Sequence, residues 1–207
     1  MLPFREHGPH EARPVFLLLH FFGGSHREWD AVVSLLKNRH RLIAADMAGF
    51  GEAAALEGYS VTDMATRIGD LLRYLEPAPV VLVAHSMTGK AAMVIASEPP
   101  ANLAGVVLVA PSPLSGEPMS DAARADMRIA NTTRERAETF TRNGFAKAPD
   151  DELFEIAVED VLRSNDAAFH AWADAGTREE WSDRVQRFLV KTTLVVGAKD
   201  KAIAPDL

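Results

Sequence analysis

A serine sits where an apolar strand runs straight into a helix, in Val80-Val81-Leu82-Val83-Ala84-His85-Ser86-Met87-Thr88-Gly89. The unbroken apolar run after Pro77 and Pro79 fits a strand buried on both faces of a parallel sheet. Residues 87–96 are apolar almost all round, as in a helix packed deep against such a sheet. A serine at the apex of so tight a turn is held in a strained backbone, with its hydroxyl pointing out of the sheet's end. Its neighbours two positions away must be small, because strand and helix crowd each other there. Ala84 meets that demand and Thr88 meets it less well. The pattern is the nucleophile elbow G-x-S-x-G, in the looser form small-x-Ser-x-small-Gly. Taken alone, the segment also fits a serine that merely separates a strand from a helix, so the rest of the chain must decide.

The elements around it follow from the hydrophobic pattern. Residues 2–7 read as a short edge strand, and residues 15–19 as a buried one that leads into His20-Phe21-Phe22-Gly23-Gly24. Ser25 and Glu28 have the spacing of a capping box, opening a helix with Trp29, Val32, Val33 and Leu36 on one side. Residues 42–45 are the next strand, ending at Asp46 and the loop Ala48-Gly49-Phe50-Gly51. Ser60 with Asp63 caps a helix striped by Met64, Ile68, Leu71, Leu72 and Leu75. The serine segment follows, and then a strand over residues 105–109. Such alternation with short connections predicts a mostly parallel sheet covered by helices on both faces. Reactive groups in such sheets gather at the carboxyl ends of the strands, where His20, Asp46, Ser86 and Ala110 all fall.

From Pro111 the rhythm changes. Pro111-Ser112-Pro113-Leu114-Ser115-Gly116 reads as a linker. Helices are expected over residues 121–141, 150–163 and 166–175, with a fourth capped by Thr177 and Glu180 and carrying Trp181, Val185, Phe188 and Leu189. Residues 192–196 return to strand, and Gly197-Ala198-Lys199-Asp200 turns. The expected organisation is a core α/β domain over 1–112, a helical cap or lid over 113–190, and a return to the core over 191–207.

With 207 residues, 47% of them hydrophobic, the chain can bury one good core. A net charge of −7 without long runs of one sign argues against nucleic acid or an anionic membrane as partner. The absence of cysteine removes disulfides and thiolate metal sites. No signal-peptide pattern and no apolar run near the ~18 residues of a membrane span is present, so a cytoplasmic location is expected.

With these features in place, the sequence resembles the α/β-hydrolase superfamily, in particular its small capped serine esterases. Four features match in order: the His20-to-Gly24 turn, the Asp46 to Gly51 loop, the Ala84–Gly89 elbow, and Gly197 to Asp200. The resemblance implies the α/β-hydrolase fold, with the lid inserted after the sixth strand of the family pattern. It also implies hydrolysis of carboxylic esters through an acyl-enzyme, with no cofactor and no metal. Ser86 would be the nucleophile and Asp200 the carboxylate that orients the base. The backbone N–H of Met87 would be one oxyanion donor, and that of Phe21 or, by a shifted count, Phe22 the second. Phe21 stands where the family usually has glycine. Phe22 and His85 are expected to border the substrate pocket, and His20 to order its loop through backbone hydrogen bonds.

One part is not found. The family order is Ser, then Asp or Glu, then His, and no histidine follows Asp200; the last in the sequence is His170, inside the expected lid. The sequence therefore reads as an esterase represented without its last strand, helix and general base. In this form it is expected to be inactive or nearly so, since loss of the base costs on the order of a millionfold in turnover. Residues 193–196 would then form an exposed apolar sheet edge, open to pairing with a second copy in a homodimer. The expected partner is a small, apolar ester, given the aromatic content of the lid. Two alternatives keep the scaffold: a non-catalytic protein binding a small ligand, and a cofactor-free perhydrolase or C–C hydrolase. A nucleotide-binding reading of Gly49-x-Gly51-x-x-Ala54 fails because no helix is expected to start at those glycines.

Overall fold

A computed structural model describes residues 1–147, 149–198 and 200. The last part of the expected return to the core, residues 201–207, lies outside the described residues. Strands β1 (Phe4–His7), β2 (Val15–Leu19), β3 (Arg41–Ala45), β4 (Val80–His85), β5 (Leu103–Val109) and β6 (Thr192–Val195) form one sheet in the order β1-β3-β2-β4-β5-β6. Only β1 is antiparallel, pairing with β3 at one edge; every other pair is parallel. The parallel register brings the ends of β2, β4 and β5 level: Leu19 lies beside Ala84, and Ala84 beside Leu108.

Helices cover both faces. α2 (Val61–Tyr74) and α3 (Met87–Ser97) pack on one, with Met64, Ile68, Leu71, Leu72, Ala91 and Ala92 buried against the strands. α2 starts at Ser60 with the expected reciprocal capping box to Asp63. On the other face, Trp29 and Val33 of a short 3-10 turn and of α1 (Asp30–Leu36) pack on Leu18, Leu42 and Ala44. β6 is the far edge, and its Leu194 and Val195 are about half exposed. Among the described residues, no helix is long and apolar enough to cross a membrane.

Between β5 and β6 the chain makes a helical excursion through α4 (Asp121–Arg128), α5 (Arg134–Gly144), α6 (Asp151–Leu162) and α7 (Asp166–Asp174). It packs over the loops that follow β2 and β3. Asn165 N–H donates to Gly49 C=O (2.8 Å), and the Ser25 hydroxyl donates to Asp160 on α6 (2.7 Å).

Two expected helices come out differently. The single helix over 121–141 is two helices, broken at 129–133. The break falls at Asn131-Thr132-Thr133, whose short polar side chains compete with helical bonding. Thr133 caps α5 by accepting from Arg136 N–H, while the Asn131 amide donates to Ser164 C=O and to Asp166. The fourth helix does not form at all. After a 3-10 turn at Gly176–Arg178, the chain runs as an irregular strap back to β6. Lys90 explains this. The sequence allows its side chain to reach solvent, but it is fully buried, and its ammonium donates to the carbonyls of Gly176 (3.1 Å) and Glu179 (3.2 Å). Trp181 N–H turns away to Leu114 C=O, and Leu189 N–H goes to Ala96 C=O. These bonds tie the strap to α3 and its surroundings at both ends and compete there with helical pairing, which is left with a single turn, Val185 N–H to Trp181 C=O.

Gly89 gives a direct test of this packing. A Cβ there would sit 2.6 Å from Pro111 Cβ and 2.9 Å from Pro111 Cα, so α3 meets the exit of β5 without spare room. Gly89→Ala is expected to cost about 1–3 kcal/mol by overpacking. Gly144→Ala, where a Cβ meets nothing within 4 Å, should be neutral or slightly stabilising. Urea unfolding midpoints of the two variants check this; equal midpoints would contradict the close contact.

Candidate active site

Ser86 stands between β4 and α3 with φ +52° and ψ −115°, a conformation that L-residues rarely adopt. Both of its backbone polar groups are tied down. Its N–H donates to Val109 C=O (3.0 Å), and its carbonyl accepts from Gly89 N–H (2.9 Å) and Ser112 N–H (3.0 Å). Thr88, two residues on, fits better than its size suggests. It is fully buried, and its hydroxyl lies within 3.2 Å of the Leu19, His20 and His85 carbonyl oxygens while accepting from His85 N–H. A glycine at that position could not tie the turn to the end of β2. The Ser86 hydroxyl has no hydrogen-bond partner among the described residues, and neither has the Met87 N–H at the start of α3.

The loop after β2 separates the two candidates for the second donor. Phe21 N–H donates to Glu28 Oε2 at 2.8 Å and is therefore engaged. Phe22 N–H has no partner among the described residues. Glu28 is not the capping partner its spacing suggests. Ser25 does cap the 3-10 turn, accepting from Arg27 N–H, but the Glu28 carboxylate reaches across to His85 Nδ1 at 2.5 Å. The Phe21 ring lies 5.5 Å from the His85 ring. The Phe22 side chain is buried in an aromatic cluster with Phe50, Phe140, Phe169 and Trp172, its centroid 4.4 Å from that of Phe169.

His20 is fully buried and acts as a brace. Its Nδ1 is 2.7 Å from Phe21 C=O, and its Nε2 accepts from Met47 N–H at 3.0 Å, which selects the tautomer protonated on Nδ1. Asp46 is the second brace, and it engages His26 through both backbone and ring. Asp46 accepts from the backbone N–H of His26 (2.6 Å) and of Glu52 (2.7 Å), and the His26 ring sits 3.0 Å from both its oxygens. Gly51 permits this with φ +52°, since a Cβ there would lie 2.4 Å from the carboxylate. Burial alone would raise the Asp46 pKa, but the His26 hydrogen bond and the two backbone donors outweigh it and bring it to about 2. The same hydrogen bond raises the His26 pKa against its own burial.

Asp200 is half-buried and closes the turn after β6, its N–H donating to Gly197 C=O at 3.0 Å. Ser86 N–H bonds to Val109, and Ala110 N–H bonds to Val195, so the exits of β4, β5 and β6 are level. The turn carrying Asp200 therefore leaves the same end of the sheet as Ser86. His170 lies on α7, 3.3 Å from an Arg128 guanidinium nitrogen.

This architecture has a family. Residues 16–207 match the model of the alpha/beta hydrolase family, and the chain belongs to it. A protein of Variovorax paradoxus that carries the name of a carbamate hydrolase, RutD, is 36% identical over 111 residues, covering 52% of this chain and 41% of that one. A 2-succinyl-6-hydroxy-2,4-cyclohexadiene-1-carboxylate synthase of Escherichia coli is 28% identical over 160 residues, covering 73% of this chain and 62% of its own. The matched region is thus less than two thirds of the length of either protein. An esterase from Exiguobacterium antarcticum superposes with a TM-score of 0.86 at 19% identity, over 98% of this chain and 79% of that one. An enol-lactonase from Burkholderia xenovorans LB400 does so with a TM-score of 0.82 at 16% identity, over 99% and 81%. At such identities these structures share the fold.

The Asp46 brace yields a pH prediction. A carboxyl whose folded pKa is depressed contributes stability that is present above its unfolded pKa and lost as pH falls through the folded value. The lowering from 3.8 to about 2 corresponds to about 2 kcal/mol. Asp46→Asn should therefore be less stable than the parent near pH 6, with the gap narrowing as pH falls from about 5 towards 2. Urea titrations across that range measure it, and a gap independent of pH would contradict the assignment.

Proposed function

We propose that this protein is a serine hydrolase of carboxylic esters, acting through an acyl-enzyme on Ser86. The carrying observation is the unpartnered Ser86 hydroxyl on a backbone at φ +52°, beside the free N–H that opens α3. In this reading the hydroxyl attacks the ester carbonyl, the alcohol leaves, and water then hydrolyses the acyl-serine. The developing oxyanion is held by the N–H groups of Met87 and Phe22, neither of which has a partner among the described residues. Engagement of Phe21 N–H by Glu28 supports Phe22 as the second donor. Asp200, leaving the sheet at the same end, is the orienting carboxylate. Helices α4–α7 act as the lid, and the aromatic cluster under it supports a small apolar acyl or alcohol group.

The relatives' names support the reaction class. Carbamate hydrolase, esterase and enol-lactonase all describe attack on a carbonyl carbon bearing a heteroatom leaving group.

Among the described residues the Ser86 hydroxyl has no hydrogen-bonded base, and a base supplied from solution tests whether that hydroxyl can act. Added imidazole should therefore raise the rate of p-nitrophenyl butyrate hydrolysis by this chain above the imidazole-only blank. Ser86→Ala should abolish that increment, a fall on the order of a hundredfold or more. An increment that survives in Ser86→Ala would overturn the role of the serine.

A further inference from the structure

A cavity of about 210 Å³ lies between the loop after β2 and the helical excursion, one residue from the serine but not lined by it. Its wall is apolar: Phe21 from the loop, Phe145 just after α5, and Leu153, Ile156 and Ala157 from α6. With Asp160 these α6 positions are spaced i, i+3, i+4, i+7, so a single helical stripe faces the space.

Three polar side chains border it, and two are already committed. Asp160 accepts from Ser25, Arg27 and Arg163. Glu28 accepts from Phe21 N–H on one oxygen and faces His85 Nδ1 on the other. The third, His85, is half-buried and spends Nδ1 on Glu28, leaving Nε2 without a partner among the described residues. In the neutral tautomer that carries its proton on Nδ1, facing the carboxylate, Nε2 has a lone pair and accepts a hydrogen bond. The space therefore asks for an apolar body carrying one O–H donor. An apolar cavity of about 150 Å³ accommodates benzene, so this one has room for a ring with one small substituent.

We propose that this cavity is a binding site for a small phenol, the ring lying against Phe21, Phe145 and the α6 stripe and the hydroxyl donating to His85 Nε2. The site does not depend on ester hydrolysis, because Ser86 takes no part in it. The nucleophile and the phenol site can therefore fail separately.

The test is calorimetric titration of the full chain with phenol and with toluene, which match in shape and differ in the hydroxyl. Phenol should bind saturably and roughly two- to tenfold more tightly than toluene, the range of one neutral hydrogen bond. His85→Leu should erase that preference, Ala157→Trp should remove binding of both, and Ser86→Ala should bind phenol as the parent does. Nitrogen NMR of the unsubstituted chain adds a readout that needs no variant: the His85 Nε2 resonance should move with the same saturation curve as the heat. Equal affinity for phenol and toluene, an Nε2 resonance that does not respond, or undiminished binding to a folded Ala157→Trp would each overturn the proposal.

Discussion

The conformation of Ser86 is the constraint on which the site depends. A non-glycine residue at φ +52° costs about 1–3 kcal/mol and persists only where its surroundings over-determine it. Three ties to neighbouring segments supply the restraint. β5 takes the Ser86 N–H at Val109, the chain just beyond β5 returns Ser112 N–H to the Ser86 carbonyl, and Thr88 ties the turn to the last carbonyls of β2. Gly89 against Pro111 removes the remaining slack. The strain is thus distributed over the carboxyl edge of the sheet, which is why the candidate groups collect there and not along the strands.

The same helix that begins at the serine also anchors the excursion above it. Lys90, one turn on, is buried against Gly176, Glu179 and the face of Trp172 (5.7 Å). Burial lowers its pKa, and the carboxylates of Glu117, Glu179 and Glu180 partly offset this. Removing an ammonium from water is costly, so the interaction holds only while the strap keeps both carbonyls in place. Lys90 and the strap therefore specify each other. Phe22 does the corresponding work from the loop side, filling the aromatic cluster that joins the excursion to the sheet. Floor and roof of the site form one continuous core.

Much of this was legible in the residues. The buried strands, the α2 capping box, the elbow at Ser86 and the bracing role of His20 each leave a local mark: an apolar run, a cap spacing, a small residue before a serine, a polar residue at a strand end. Glu28 and Lys90 find partners that their local sequence does not announce. Ser25-x-x-Glu28 has the spacing of a cap, yet the Glu28 carboxylate finds His85 57 positions away and Phe21 N–H nearby. Lys90 on a helix can snorkel in principle, yet two carbonyls 86 and 89 positions on take its ammonium. Asn131 ends a helix for the same kind of reason, through Ser164 and Asp166.

The sequence by itself determined the order of the strands along the chain, the parallel layered class and the residue at the strained turn, because burial periodicity and steric crowding act between near neighbours. Only the tertiary structure decided which backbone donors stay unused, which carboxylate meets which imidazole, and where the excursion abandons helix for strap. Those outcomes are competitions among hydrogen-bonding partners far apart in the chain, and a buried polar group takes whichever partner the fold brings within about 3 Å.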